Sequence, residues 1–364
     1  MLEYAEKFTG RRFSRRVSLV KKSFWPVTEL VALRVVLKYW PGIKMSIDAK
    51  ELMYIRNSVK SITDEIGRKI IGSQNTIKFM FIAMTSSNHI LLEGVPGLAK
   101  TLIANEFASH LKMPFKRIQF TPDMLPSDIT GSIIFNLESR KLEFREGPIF
   151  TNVLLADEIN RTPSKVQSAL LESMEEKQVS VGGITNDLPK PFFVVATQNP
   201  IEQEGTFPLA EALMDRFIFR VILKYPRRDE ELRILNRNLT GKSNPTYIDP
   251  EFMLKMRDMV DSVYVSDDMK EYMVDLMRRT RENNKVYVGA SPRTTAKLLN
   301  ASRSCALIHG RDYIVPEDIY YIAHALLNHR IILKPEALID SAEAGADTAM
   351  KIVDEILGEV PAPQ

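Results

Sequence analysis

Short apolar runs at residues 89–92, 153–156, 192–196 and 217–223 punctuate the middle of the chain. Each is β-prone and lacks polar alternation, so each reads as a buried strand. Residues 101–111 instead repeat their apolar positions at helical spacing. Across residues 62–225 the two patterns alternate, which predicts an α/β domain whose parallel sheet is covered on both faces. After Pro226-Arg227-Arg228-Asp229 the pattern changes: 230–239, 250–263, 267–283, 291–309 and 316–330 all show helical spacing, with no comparable apolar strand. Ser291 before Pro292, and Pro316 before Glu317 and Asp318, are helix-start signals. This predicts an all-helical second domain. Two shorter segments alternate instead, 132–145 around Glu138-Ser139-Arg140 and 178–190 around Gly182-Gly183, and read as hairpins. The predicted organisation is a head at 1–45, an α/β core at 46–225 carrying both hairpins, a helical domain at 226–335 and a C-terminal helix or tail at 336–364.

The ends of the apolar runs carry reactive residue types in a definite order. The first run leads into Gly94-Val95-Pro96-Gly97-Leu98-Ala99-Lys100-Thr101. Gly94 and Gly97 allow a tight turn whose N–H groups form an anion nest, and the following helix adds its positive N-terminal dipole. Lys100 would reach the β- and γ-phosphates of ATP, and the Thr101 hydroxyl would coordinate Mg2+. Ala99 stands where a glycine is usual. The second run delivers Asp157 and Glu158 to a strand end, where α/β sheets bind ligands. Asp157 is placed to hold the Mg2+ shell, and Glu158 to orient and polarise an attacking water. Alone, the pair would read as solvated acids capping a strand; the phosphate loop upstream favours the catalytic reading. The third run ends in Thr197-Gln198-Asn199-Pro200, where Asn199 either hydrogen-bonds water and γ-phosphate or forms the turn before Pro200. Arg216 precedes the last run and Arg293 opens a later helix. A guanidinium at either place is an ordinary ion-pair partner or a group that stabilises a transferring phosphoryl, and the ordered set favours the second.

With these residues in view, the chain resembles the MoxR family of AAA+ ATPases. The resemblance runs from Leu92-Glu93-Gly94 to Thr101, through Gln119-Phe120-Thr121-Pro122-Asp123, Leu125-Pro126-Ser127-Asp128-Ile129-Thr130-Gly131 and Gly147-Pro148-Ile149-Phe150. It continues in Leu155-Ala156-Asp157-Glu158-Ile159-Asn160-Arg161 and in residues 196–205, and covers roughly residues 58–332. Met214 stands where leucine is usual. The resemblance implies a five-stranded AAA+ P-loop core with a helical lid, ATP and Mg2+ as cofactors, and assembly into a hexameric ring. It makes Arg216 a finger acting on a neighbour's nucleotide and Arg293 the sensor in the lid. It also implies that the hairpins face the ring centre and partner proteins, and that a protein with a von Willebrand A domain serves as partner.

Charge is distributed unevenly. The chain's net charge is +3, yet residues 1–44 hold ten basic and three acidic residues, so the remainder is mildly acidic. An acidic body argues against nucleic acid as partner. The basic head, with Trp25 and Trp40, suits an anionic membrane surface; a flexible leader, or a true start at Met45, are the other readings. The lone Cys305 is expected in the core, and the absence of a second cysteine agrees with a reducing cytoplasm. The five histidines form no metal-spaced set, and His324 and His329 read as structural. Function is therefore expected to be Mg-dependent ATP hydrolysis coupled to remodelling of a client. The alternatives are an ATP-gated interaction module and a magnesium-chelatase-like metal-insertion motor.

Overall fold

The structure, a computed structural model, describes residues 47–200, 206–236, 245–339 and 345–363. The head at 1–45 with its proposed membrane contact, and residues 201–205 of the family pattern, lie outside the described residues. The described residues belong to one compact unit.

Five strands, β1 (His89–Glu93), β2 (Phe115–Gln119), β3 (Val153–Asp157), β4 (Phe193–Gln198) and β5 (Phe217–Ile222), form one sheet in the order β2-β3-β4-β1-β5. All pairings are parallel, with Ile90 opposite Val195, Leu155 opposite Val195 and Ile118 opposite Ala156. Period-two alternation divides the strands' side chains between two cores. Ile90, Leu92, Val153, Leu155, Phe193 and Val195 face one apolar cluster, and Leu91, Leu154, Ala156, Val194 and Ala196 face the other. Burial on both faces explains why β1 and β3 read as unbroken apolar runs.

Helices α1 (Ala49–Lys69) and α2 (Gln74–Thr85) precede β1, α3 (Lys100–His110) follows it, and α4 (Ser164–Glu176) follows β3. The helical region comprises α5 (Arg228–Leu235), α6 (Pro250–Val260), α7 (Asp267–Glu282), α8 (Pro292–Ile308), α9 (Pro316–Leu327) and α10 (Gly345–Glu359), with a short helix at Pro335–Ile339. The start signals act locally as expected. Ser291 Oγ accepts the Thr294 N–H at 3.3 Å, and the Asp318 carboxylate accepts the Val315 N–H at 3.0 Å. The region is not purely helical, however: Val286–Val288 pairs antiparallel with Ile332–Leu333. Segments of three and two residues are too short to carry a periodic signal, so the sequence reading missed them.

Leu298, Ile319 and Ile322 of the helical region share one apolar cluster with Ile62, Phe79, Phe107 and Phe219. The helical region also covers the free edge of β5 with polar side chains. Asn328 donates to the Arg220 carbonyl at 2.9 Å, His329 to the Phe217 carbonyl at 3.0 Å, and Arg330 to the carbonyls of Phe217 and Ile218 at 2.6 and 2.9 Å. An edge strand's unpaired backbone acceptors are thereby satisfied by side chains.

Candidate active site

Gly94 leaves β1 with its N–H donated to the Gln198 carbonyl at 3.1 Å, which ties the loop to the end of β4. Gly97 turns through φ +89°, and Ala99 through φ +56° immediately before α3. The left-handed conformation at Ala99 costs a non-glycine residue about 1–2 kcal/mol, which accounts for glycine being usual there. Lys100, the first residue of α3, folds its ammonium back onto the carbonyls of Gly94 and Val95.

Asp157 ends β3 and is buried. One carboxylate oxygen accepts the hydroxyl of fully buried Thr197; the other accepts Arg117 at 2.7 and 2.9 Å and lies 3.4 Å from the Thr101 hydroxyl. Glu158 follows in a left-handed conformation, φ +56°, and its N–H donates to the same Thr197 oxygen at 2.9 Å. One threonine thus orients both acids. The Glu158 carboxylate accepts Gln119 at 2.6 Å and Arg161 at 3.1 Å. Asn199 is buried just beyond β4, and its carbonyl accepts Asn160 at 3.4 Å. The loop 94–101, Asp157, Glu158 and Asn199 therefore gather at the C-terminal ends of three adjacent strands, where open parallel sheets bind ligands. The Thr101 hydroxyl and Asp157 carboxylate form a hard oxygen donor pair that fits Mg2+.

Both arginines lie elsewhere. Arg216 precedes β5, and Phe217 is in register with His89 at the start of β1, so Arg216 flanks the end of the sheet opposite the phosphate loop. The five residues of β1 separate them by about 16 Å along the strand direction. Arg216 pairs with Glu175 of α4 at 2.6 Å, its buried Nε finding no acceptor. Arg293, at the start of α8, reaches Asp215 at 3.5 Å and Glu175 at 4.0 Å. The two guanidiniums therefore share one carboxylate, away from Lys100 and Asp157.

Sequence reasoning did not single out Arg117, Gln119, Thr197, Glu175 or Asp215. Arg117 and Gln119 alternate onto one face of β2 beside Asp157, a period-two signal next to a motif already noted. Nothing local marks Glu175. Cys305, buried as expected, comes within 4.8 Å of His309 and Asp318. Asp318, however, is held bidentately by Arg311 at 2.6 and 2.8 Å, and the His309 Nδ1 meets the Cys305 carbonyl at 2.8 Å, so the cluster is accounted for without a metal.

The hairpins consist of Gly131–Asn136 with Lys141–Glu146, and Gln178–Val181 with Ile184–Asp187. They meet where Ile133 packs over Gly182; a Cβ there would fall 2.0 Å from the Ile133 side chain. Phe135, Leu137, Leu142 and Ile184 are exposed on them.

Residues 89–219 match the model of the ATPase family associated with various cellular activities (AAA), and residues 278–356 match the AAA lid domain. The protein YeaC of Bacillus subtilis is 44% identical over 82% of this chain and 93% of its own. Chaperone MoxR1 of Mycobacterium tuberculosis is 39% identical over 82% of this chain and 81% of its own. The crystal structure of a protein from Cytophaga hutchinsonii, assigned as an ATPase, superposes with a TM-score of 0.78 at 40% identity, covering 86% of this chain and 98% of the other.

Proposed function

The chain belongs to the MoxR family of AAA+ ATPases, and on that premise we propose that it forms a ring, hexameric by resemblance, which couples Mg2+-dependent ATP hydrolysis to remodelling a partner protein. Membership itself makes the chain an ATPase of chaperone type; the ring, the metal and the partner are our reading. The observation that carries it is the separation along the sheet between the arginine pair and the phosphate loop of the same subunit. A guanidinium about 16 Å away along the strands cannot stabilise charge on its own subunit's γ-phosphate. It can do so for an adjacent subunit.

In this reading the loop N–H groups from Gly94 to Thr101, together with Lys100, bind the phosphates. Thr101 and Asp157 hold Mg2+, which when bound neutralises charge on the β- and γ-phosphates. Glu158 orients and polarises the attacking water, Asn199 adds a neutral donor beside it, and Thr197 keeps both acids in register. Arg216 releases Glu175 and stabilises the neighbour's transferring phosphoryl group, a contribution of about 10³–10⁵ in rate. Arg293, held by the same carboxylate, serves the same neighbouring site. The exposed apolar residues of the hairpins, Phe135, Leu137, Leu142 and Ile184, form the surface offered to the client. A partner with a von Willebrand A domain is the expected co-factor protein.

The test is the ATPase rate per subunit as protein concentration rises through the assembly range. A steep rise to a plateau is expected. A constant rate at dilutions where the protein is monomeric would overturn the shared site.

A further inference from the structure

We propose that Asp215, clamped by Lys297 and Arg330 of the helical region, is the device that positions Arg216, so that the finger's setting follows the helical region. This rests on the shared-site reading above, and it assigns a role to three residues that the nucleotide site does not use.

The backbone on both sides of Arg216 is gripped from the same direction. The Asp215 carboxylate accepts Lys297 at 2.8 Å and Arg330 at 3.3 Å, and its other oxygen faces Arg293 at 3.5 Å. The Asp215 carbonyl accepts Lys297 and, at 3.4 Å, Arg330. One residue beyond Arg216, the Phe217 carbonyl takes Arg330 at 2.6 Å and His329 at 3.0 Å. Only the Arg216 side chain escapes this grip, reaching out to Glu175. Lys297 comes from α8, the helix that opens with Arg293, and Arg330 follows the end of α9.

The arrangement is a costly way to join two parts of a protein. The Lys297 and Arg330 side chains are only 13% and 5% exposed, and a single aspartate faces both of them and Arg293. Buried cations outnumbering their counter-ion cost more than an apolar contact of the same size. What they provide is direction: a charged fork and an ammonium fix the loop that carries Arg216 in one place relative to α8 and α9. Misplacing a catalytic group by about 1 Å can cost about 10²-fold in rate.

Burial, then the neighbouring Arg330, push the Lys297 ammonium down to about 8 against the pull of Asp215. Burial raises Asp215, but Lys297, Arg330 and Arg293 outweigh it and hold the carboxyl below its ordinary range. The other titratable groups near Lys297 are His89 and His329, both kept neutral by burial. Lys297 is therefore the member of the cluster that loses its charge in mildly alkaline solution.

The experiment measures steady-state ATP hydrolysis of the full chain at assembling concentration for the wild type, Lys297→Met, Asp215→Asn and Arg216→Ala. Sedimentation monitors the ring. Both clamp variants should lower kcat by about tenfold to a hundredfold with KM for ATP nearly unchanged and the ring intact. Wild-type kcat should fall above about pH 8, and Lys297→Met should remove that limb. Wild-type kcat that stays level up to pH 9.5 counts against the clamp even if neither variant folds. Loss through KM or through ring dissociation would assign the cluster a structural role and overturn the proposal. If Arg216→Ala is inactive while both clamp variants turn over normally, the clamp alone fails; if Arg216→Ala turns over normally, the finger fails with it.

Discussion

Thr197 shows how much a single buried hydroxyl can organise. It donates to Asp157 and accepts from the Glu158 backbone, so the two acids proposed to hold Mg2+ and to orient water are set by one side chain from the adjacent strand. Glu158→Gln keeps the size and the backbone but removes the charge that polarises water. ATP binding should persist while turnover falls by about 10²–10⁴-fold, measured as single-turnover hydrolysis beside nucleotide affinity. Arg216→Ala should lose hydrolysis with affinity nearly intact. Mixing Arg216→Ala with Glu158→Gln subunits should restore partial activity, because some interfaces then pair a sound finger with a sound acid. Activity that stays absent at every mixing ratio would argue that both residues serve one subunit's site. Asp157 and Glu158 were legible in the sequence because they end an apolar run, and Lys100 because it closes a glycine-containing loop that follows one. Thr197 and Arg117 were not, since their roles come from strands paired side by side but distant in the chain.

The elements follow local rules closely. Strand runs, proline-opened helices and both hairpins occur where periodicity and turn residues predicted them. The first hairpin depends on a close backbone approach: a Cβ at Gly131 would meet the Arg145 carbonyl at 2.2 Å, and φ there is +91°. Gly131→Ala should therefore cost at least about 2 kcal/mol, read as a fall in urea midpoint, with hydrolysis less affected than client handling. Lys297 gives the junction between α8 and β5 an unusual pH signature. Its folded value of about 8 lies below the ordinary 10.5, so the folded chain binds fewer protons between them. Its contribution to stability rises with pH across that window, in which the proposed clamp weakens; activity and stability should then move in opposite directions. The pairing of Val286–Val288 with Ile332–Leu333 escaped sequence analysis because cross-chain contacts alone support so short a strand.

For the whole molecule, acid is expected to loosen the fold through histidines buried in neutral form. Burial holds His89 at about 3, where its ring accepts the Val194 N–H at 3.0 Å, and drives His329 well below its ordinary value. The unfolded chain takes up protons below about pH 6.5 and the folded chain does not, so stability falls on acidification by up to about 1.4 kcal/mol per pH unit for each histidine. Urea midpoints between pH 7.5 and 5 measure this, and a midpoint that is level or rising toward pH 5 would contradict it. By itself, the sequence determined the fold class and the family and set out the order of the candidate nucleotide-site residues, because these depend on periodicity and on residue types at strand ends. Only the tertiary structure decided that Arg216 and Arg293 share Glu175, that Asp215 is gripped by Lys297 and Arg330, and that side chains cap the edge of β5. Those contacts join residues up to 118 positions apart, and their energies depend on burial and direction, neither of which a linear pattern encodes.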